Sequence, residues 1–316
     1  MKVAILGVWH VHAKDYANAA LPLAEVIGFY EENDELAKEF MSMFDIPRFA
    51  TAEELLESDA DGVIVCSSTK DHTRDIISVA NAKKNIFTEK ILALTLEECE
   101  DIERAIKDNR VEFTISMPLK YRSNCLTVKK VVEGGELGKL NLVRYHKSHS
   151  GSVKGWLPAH FYNREQCGGG AMIDHGAHGM YLIHWLLGMP VCASSALTVA
   201  TTSEDALEKN IDRVEDNSVT VMKFENGAIA INESSFVTKY SPMFFEIYGE
   251  DGYVCMDKDS VKKCSESTGG ALVELELEEE LPSPILQFLT GKKLEGCGIE
   301  DAKVLTRMME MAYAEK

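Results

Sequence analysis

Two short stretches carry side chains suited to moving a proton. In "GGGAMIDHGAHGMYLIHWLLG", Asp174 and His178 stand four residues apart beyond three glycines, a spacing that on a helix puts a carboxylate and an imidazole on one face. In "NIFTEKILALTLEECEDI", Glu89 and Lys90 close an apolar run that reads as a buried parallel strand, and open α/β sheets bind ligands at that end of their strands. A lysine, an aspartate and a histidine brought to one cleft would suit proton transfer beside a leaving hydride.

A third stretch, at the start of the chain, has the layout of a dinucleotide-binding strand, turn and helix. In "MKVAILGVWHVHAKDYANAAL", Gly7 takes the turn position, but Trp9 and His12 stand where G-x-G-x-x-G has its second and third glycines. Gly7, the helix N-terminus near Val11 and a donor from His10 would then hold a pyrophosphate, with Trp9 as a wall beside it. The second strand ends "GFYEEND", which places Glu31 24 residues after Gly7, near the spacing of the acid that bonds the adenosine ribose. An acid there favours NAD over NADP, because a 2′-phosphate would meet like charge; Glu32 is the neighbouring candidate.

The elements that must position these residues fall into two rhythms. Up to about residue 118, β-branched runs ("KVAILG", "EVIGFY", "DGVIVCSS", "NIFTEK", "VEFTIS") alternate with amphipathic stretches, which predicts a doubly wound parallel sheet. Thr51 with Glu54 and Thr95 with Glu98 predict capping boxes at two helix starts. From about 119 to 316 the pattern becomes α+β with an open, mainly antiparallel sheet. Hairpins are expected around Glu225-Asn226-Gly227 and Gly249-Glu250-Asp251-Gly252, and a terminal helix in "GIEDAKVLTRMMEMAYAEK". The acidic stretch "LVELELEEELP" reads as a solvated strand edge.

Composition excludes several classes. A chain of 316 residues, 45% hydrophobic, has room for two cores, and no stretch approaches the roughly 20 apolar residues of a membrane span. A net charge of −18 repels a phosphate backbone, so no nucleic-acid partner is expected. The eight cysteines are scattered singly and "MKVAIL" has no signal-peptide character, which predicts reduced thiols and a cytoplasmic protein. The pair His10 and His12 could be part of a metal site, yet sequence shows no converging ligand set, and no metal is expected.

Four ordered stretches together resemble the glucose-fructose oxidoreductase, inositol dehydrogenase and MocA (Gfo/Idh/MocA) family: "DGVIVCSSTKDHTRDIISVANAKKNIFTEK", "VVEGGELGKLNLVRY", "GGGAMIDHGAHGMYLIHWLLG" and "FEIYGEDGYV". The resemblance implies a Rossmann domain, residues 1–118, followed by a substrate-binding domain, 119–316, whose sheet often makes the oligomer interface of a homodimer or homotetramer. It implies hydride transfer between NAD, with NADP admitted, and a secondary alcohol or ketone of a sugar, cyclitol or related polyol. Carried over, Ser67, Ser68, His72, Glu89 and Lys90 join the cofactor site. Lys90 would polarise the reacting oxygen, His178 would accept the proton, and Asp174 would position it or bind substrate hydroxyls.

The chain departs from the family pattern in three places: the altered turn at Trp9 and His12, Ile91 where Pro usually follows Glu-Lys, and no Arg after the "VEFTIS" strand. A trans Lys90–Ile91 bond, or a non-proline cis bond held by the site, is expected, and Lys120 or Arg122 would replace the Arg. In the loop "GWLPAHFYNREQCGGG", Trp156, His160 and Tyr162 are candidate polyol contacts, whereas Met180, Tyr181 and Trp185 read as helix packing. Two other functions share the fold: a dinucleotide or sugar sensor without turnover, and an NAD-dependent glycoside hydrolase that would leave its cofactor unchanged.

Overall fold

Five parallel strands carry the first half of the chain. They are β1 (Lys2–Leu6), β2 (Glu25–Tyr30), β3 (Gly62–Val65), β4 (Asn85–Thr88) and β5 (Phe113–Ile115), in the order β2-β1-β3-β4-β5. Helices α1 (Ala13–Ala20), α2 (Asp34–Met43), α3 (Ala52–Glu57), α4 (Thr69–Asn81) and α5 (Leu96–Asn109) make the connections. All four residues of β3 are buried, as expected for a parallel strand covered on both faces. The computed structural model describes residues 1–200, 213–241 and 243–314.

Helix starts follow their capping residues. Thr95 and Glu98 form the complete box at α5, each side chain accepting the other residue's backbone N–H. At α3 only half the box forms: Thr51 Oγ1 accepts Glu54 N–H at 3.1 Å, while Glu54 Oε2 takes the N–H of Ala50 instead of Thr51.

Two compact units result, Met1–Met117 with Pro282–Thr306, and Pro118–Leu281 with Arg307–Lys316. The return of residues 282–306 to the first unit departs from a second domain running unbroken from 119 to 316. Its cause is apolar. The helix Pro284–Thr290, started by a proline at its first position, puts Ile285, Phe288 and Leu289 into one buried cluster with Val3, Ile5, Tyr16 and Phe87. Ile115 N–H also donates to Cys297 O at 2.9 Å.

In the second unit α6 (Ser123–Glu133) precedes β6 (Leu140–Ser148). The loop after β6 contains short helices α7 (Gly151–Lys154) and α8 (Arg164–Cys167), then a π-turn over Met172–Gly176 that continues into α9 (Ala177–Leu187). Strands β7 (Cys192–Thr198), β8 (Asn217–Lys223), β9 (Ile229–Ser235), β10 (Phe244–Gly249), β11 (Gly252–Met256), β12 (Val261–Ser265) and β13 (Val273–Glu274) complete an eight-stranded sheet ordered β13-β12-β11-β10-β6-β9-β8-β7. In this sheet, among the described residues, only β6 and β9 pair in parallel; the hairpins β8–β9 and β10–β11 form as their turns predict. The acidic stretch is a sheet edge only at Val273–Glu274, with Leu275 N–H still reaching Val261 O. Residues 276–283 form no strand.

The π-turn and α9 lie close on β9, and glycine makes that approach feasible. A Cβ at Gly179 would run into the Asn232 side chain and the Tyr145 ring. Asn232 Nδ2 donates to Gly176 O at 2.8 Å, tying the π-turn to the strand.

Candidate active site

Each unit presents its own set of functional side chains. In the first, the turn after β1 packs directly on the turn after β3, where the strand order reverses and doubly wound sheets open a crevice. Gly7 has φ +79°, and a Cβ there would stand 2.7 Å from Ser67 N, so the position needs glycine for conformation and for space. Gly7 N–H donates to Tyr30 O (2.8 Å) and His10 N–H to Cys66 O (3.0 Å).

A cleft of about 220 Å³ opens here, lined by Gly7, Trp9, Glu31, Ser67, Ser68 and Arg74 among others. Glu31 is buried, and its carboxylate accepts Val8 N–H at 2.7 Å and Asn33 N–H at 2.9 Å, so it holds the turn as well as facing the cleft. Glu32, Asp71 and Asp75 add acids to the lining, and Asp71 (3.1 Å) and Asp75 (2.8 Å) both pair with Arg74. Ser68 Oγ donates to Asp71 Oδ2 at 2.5 Å. Ser67 Oγ is buried without a hydrogen-bond partner, as a donor to a bound phosphate or ribose would be. These residues fit NAD: a turn without a Cβ, an orphaned hydroxyl and acids at the ribose end.

The strand ends supply the rest. Glu89 is buried and accepts from the Tyr16 hydroxyl and from Lys90 N–H at 3.0 Å; Tyr16 Oη is also 2.8 Å from Ser116 Oγ. Lys90 is buried, and the Lys90–Ile91 peptide is cis. His72, on α4, holds the segment that follows: its Nδ1 lies 3.0 Å from Ile91 O and 3.1 Å from Leu92 O, so Nδ1 carries the proton, and burial pushes its pKa below the ordinary histidine value. His10 is buried beside the turn; Val11 and His12 lead into α1, which starts at Ala13.

In the second unit Asp174 sits inside the π-turn, not on a regular α-helix. The i→i+5 turn is wider than the four-residue spacing assumes, which corrects the simple one-face picture. Asp174 Oδ2 lies 3.6 Å from His175 Nε2. His178 is buried on α9, and its Nδ1 is 2.8 Å from Tyr181 Oη. That hydroxyl also receives Leu119 N–H at 3.2 Å, and Lys120 Nζ, buried in the neighbouring turn, stands 5.8 Å from the Tyr181 ring centre. Tyr181 is thus more than helix packing: the three-residue spacing from His178, the same helical logic that singled out Asp174, was the signal for it.

The loop residues divide. Trp156 is 54% exposed with its ring 4.6 Å from that of His149. His160 packs beside Phe161. Tyr162 spends its hydroxyl on Ser152 Oγ (2.7 Å) under the Arg213 guanidinium, which suits an anchor for the loop. His149, which the sequence reading passed over, stacks on Phe236 and meets His175 edge-on, and burial lowers its pKa.

Two groups among the described residues hold ligand-type atoms within 4.8 Å of one another: His10, His12 and Glu89, and His149, Asp174 and His175. In each, one histidine accepts a backbone N–H at Nδ1, His10 from His12 (3.3 Å) and His149 from Gly151 (3.0 Å). In that arrangement a neutral ring carries its proton on Nε2.

Residues 1–116 match the oxidoreductase family with an NAD-binding Rossmann fold, and residues 125–255 match the GFO/IDH/MocA C-terminal domain. The chain belongs to the Gfo/Idh/MocA family, and its N-terminal unit is that family's NAD-binding fold. It is 28% identical over 209 residues to myo-inositol 2-dehydrogenase of Thermotoga maritima, 65% of this chain and 59% of that protein. It is 26% identical over 256 residues to levoglucosan dehydrogenase of Pseudarthrobacter phenanthrenivorans, 74% of this chain and 65% of that one. The chain thus matches less than two thirds of the length of either relative. An oxidoreductase from Thermotoga maritima of known structure superposes with a TM-score of 0.83 at 22% identity, over 99% of this chain and 96% of its own. Among the described residues no helix is long and apolar enough to cross a membrane.

Proposed function

We propose that this chain is an NAD-dependent dehydrogenase or reductase that interconverts a secondary alcohol and a ketone on a sugar, cyclitol or related polyol. The observation that carries the reading is the placement of Gly7, Ser67 and Lys90 just beyond the carboxyl ends of β1, β3 and β4, the ligand-binding edge of such a sheet. NAD supplies the hydride acceptor, and in its reduced form the donor. Gly7, Trp9, His10, Val11, Glu31, Ser67, Ser68 and His72 hold it, and Glu89 fixes the backbone at Lys90. Lys90 hydrogen-bonds the reacting oxygen, His178 exchanges a proton with it, and Asp174 binds neighbouring hydroxyls. Lys120, Trp156 and His160 line the substrate region, with Tyr162 anchoring their loop.

The polyol class is supported by the inositol and levoglucosan dehydrogenases among the relatives. NAD over NADP is supported by Glu31 and Glu32 and by an arginine already paired with two aspartates. A homodimer or homotetramer is supported by apolar Val219, Val221 and Ile229, exposed on the sheet.

The test is calorimetric titration with NADH and NADPH, followed by NADH production on a panel of polyols. Saturable binding that prefers NADH, turnover on a polyol, and loss of turnover in Lys90→Met and His178→Ala are expected. Binding with no turnover on any polyol would leave a sensor. Turnover without net NADH change would point to the hydrolase chemistry.

A further inference from the structure

The hydroxyl of Tyr181 joins the backbone of one element to the imidazole of another. Leu119 N–H can only donate, and it donates to Oη at 3.2 Å; His178 Nδ1 lies 2.8 Å from the same oxygen. A phenol has one proton of its own. The arrangement that uses both that proton and an imidazole lone pair is Oη–H donating to Nδ1, which places the His178 ring proton on Nε2. Lys120, next to Leu119, brings its ammonium to 5.8 Å from the Tyr181 ring centre; His178, Tyr181 and Lys120 are buried and Leu119 is partly so. A negative charge on Oη would therefore meet the Leu119 N–H directly, on a tyrosine that is itself buried.

We propose that Tyr181 is a positioning residue that holds His178 in its Nε2–H form and resupplies its proton during reduction of a ketone substrate. This rests on the reading of His178 as the group that exchanges a proton with the reacting oxygen. As hydride reaches the carbonyl carbon, the electron pair of the C=O π bond moves to oxygen, and the oxygen takes the Nε2 proton. Nδ1 takes the Oη proton in the same motion, so the ring stays neutral. The phenolate, held by Leu119 N–H, regains a proton from water, and one solvent proton is consumed per hydride. Alcohol oxidation runs the same path backward, starting from the deprotonated Tyr181–His178 pair. The resting site is thus set for carbonyl reduction.

The test reads the tautomer directly and needs neither cofactor nor substrate. Ring-nitrogen NMR of ¹⁵N-histidine-labelled protein, with His178 assigned by difference against His178→Gln, is expected to show protonated Nε2 and unprotonated Nδ1. Tyr181→Phe should convert the ring to a mixture of tautomers and lower kcat for ketone reduction by about 10- to 100-fold with little change in KM. If Tyr181→Phe fails to fold, 3-fluorotyrosine at position 181, nearly isosteric and more acidic, should shift the Nδ1 resonance. Protonated Nδ1 in the unmodified protein overturns the proposal, as does a tautomer insensitive to both changes. Full turnover in His178→Ala would instead overturn the assignment of His178 to the reaction, while the tautomer result would stand by itself.

Discussion

Glu31 fastens two backbone segments, and the proposed function would give it a second job at the cofactor ribose. As a ribose ligand alone it would matter only when the cofactor is bound. The buried carboxylate also receives Val8 N–H at 2.7 Å and Asn33 N–H at 2.9 Å, so it fastens the first turn to the end of β2. Each hydrogen bond to a charged group is worth about 1.5–3 kcal/mol. Glu31→Gln keeps one oxygen acceptor but turns an amide NH₂ toward the other N–H, so one bond is lost and two donors face each other. The expected cost to the apo protein is about 2–4 kcal/mol. Urea unfolding followed by Trp9 fluorescence, in a background carrying Trp156→Phe and Trp185→Phe, reports on the first unit. Glu32→Gln, at an exposed neighbour, should stay within about 0.5 kcal/mol of the parent. NADH affinity should fall in Glu31→Gln as well. An apo stability within 0.5 kcal/mol of the parent, with affinity alone reduced, would refute the fastening role.

Three further outcomes are expected. Hydrogen bonds from Lys107 and Lys303 hold the Glu103 carboxyl down at about 2, so its contribution to stability is present above the ordinary glutamate range and lost as pH falls through about 2; melting temperatures from pH 5 to 2 should fall less steeply in Glu103→Gln, and an unchanged slope would count against it. Gly179→Ala should cost about 1–3 kcal/mol by forcing α9 off Asn232 and the Tyr145 ring, measurable by chemical denaturation; wild-type stability would mean the helix can shift freely. Tyr313→Phe removes the 2.7 Å bond to Glu215 Oε1, the same oxygen that accepts Gly170 N–H and Met172 N–H at the start of the π-turn, and should cost about 0.5–1.5 kcal/mol, with no change in melting refuting the link.

How much of this could be read in the chain depends on how local the cause is. Strand β3 is legible because burial on both faces demands an unbroken apolar run, and "GVIV" is one. The Thr95 cap is legible because both its partners lie within three residues. Strand β8 is where pattern misleads. In "NSVTVMK" hydrophobicity alone would bury the two valines; instead burial alternates the other way, with Ser218, Thr220 and Met222 buried and Val219 and Val221 exposed. The inner positions are satisfied by one another and by the π-turn: Ser218 bonds Ser234 at 2.6 Å, and Thr220 Oγ1 lies 2.9 Å from Met172 Sδ. No single strand carries that information, because the polar partner of each residue is on another element.

The same distinction explains the site. Gly7, Glu31, Lys90, Asp174 and His178 are visible because each is defined by its own neighbours in sequence: a turn, a strand end, a helical spacing. What those residues do is set by groups the spacing does not name. Glu31 is held by two backbone N–H groups, His72 reaches across to the carbonyls after Lys90, and Tyr181 is joined to Leu119 from 62 residues away. The placement of 282–306 follows the same rule, since "PILQF" is an ordinary amphipathic helix until Val3 and Phe87 offer it a surface. Sequence thus names the candidate side chains, and the folded partners decide what each one is bonded to. If His178 exchanges the proton as proposed, its tautomer, more than its presence, is the property on which the direction of that chemistry would turn.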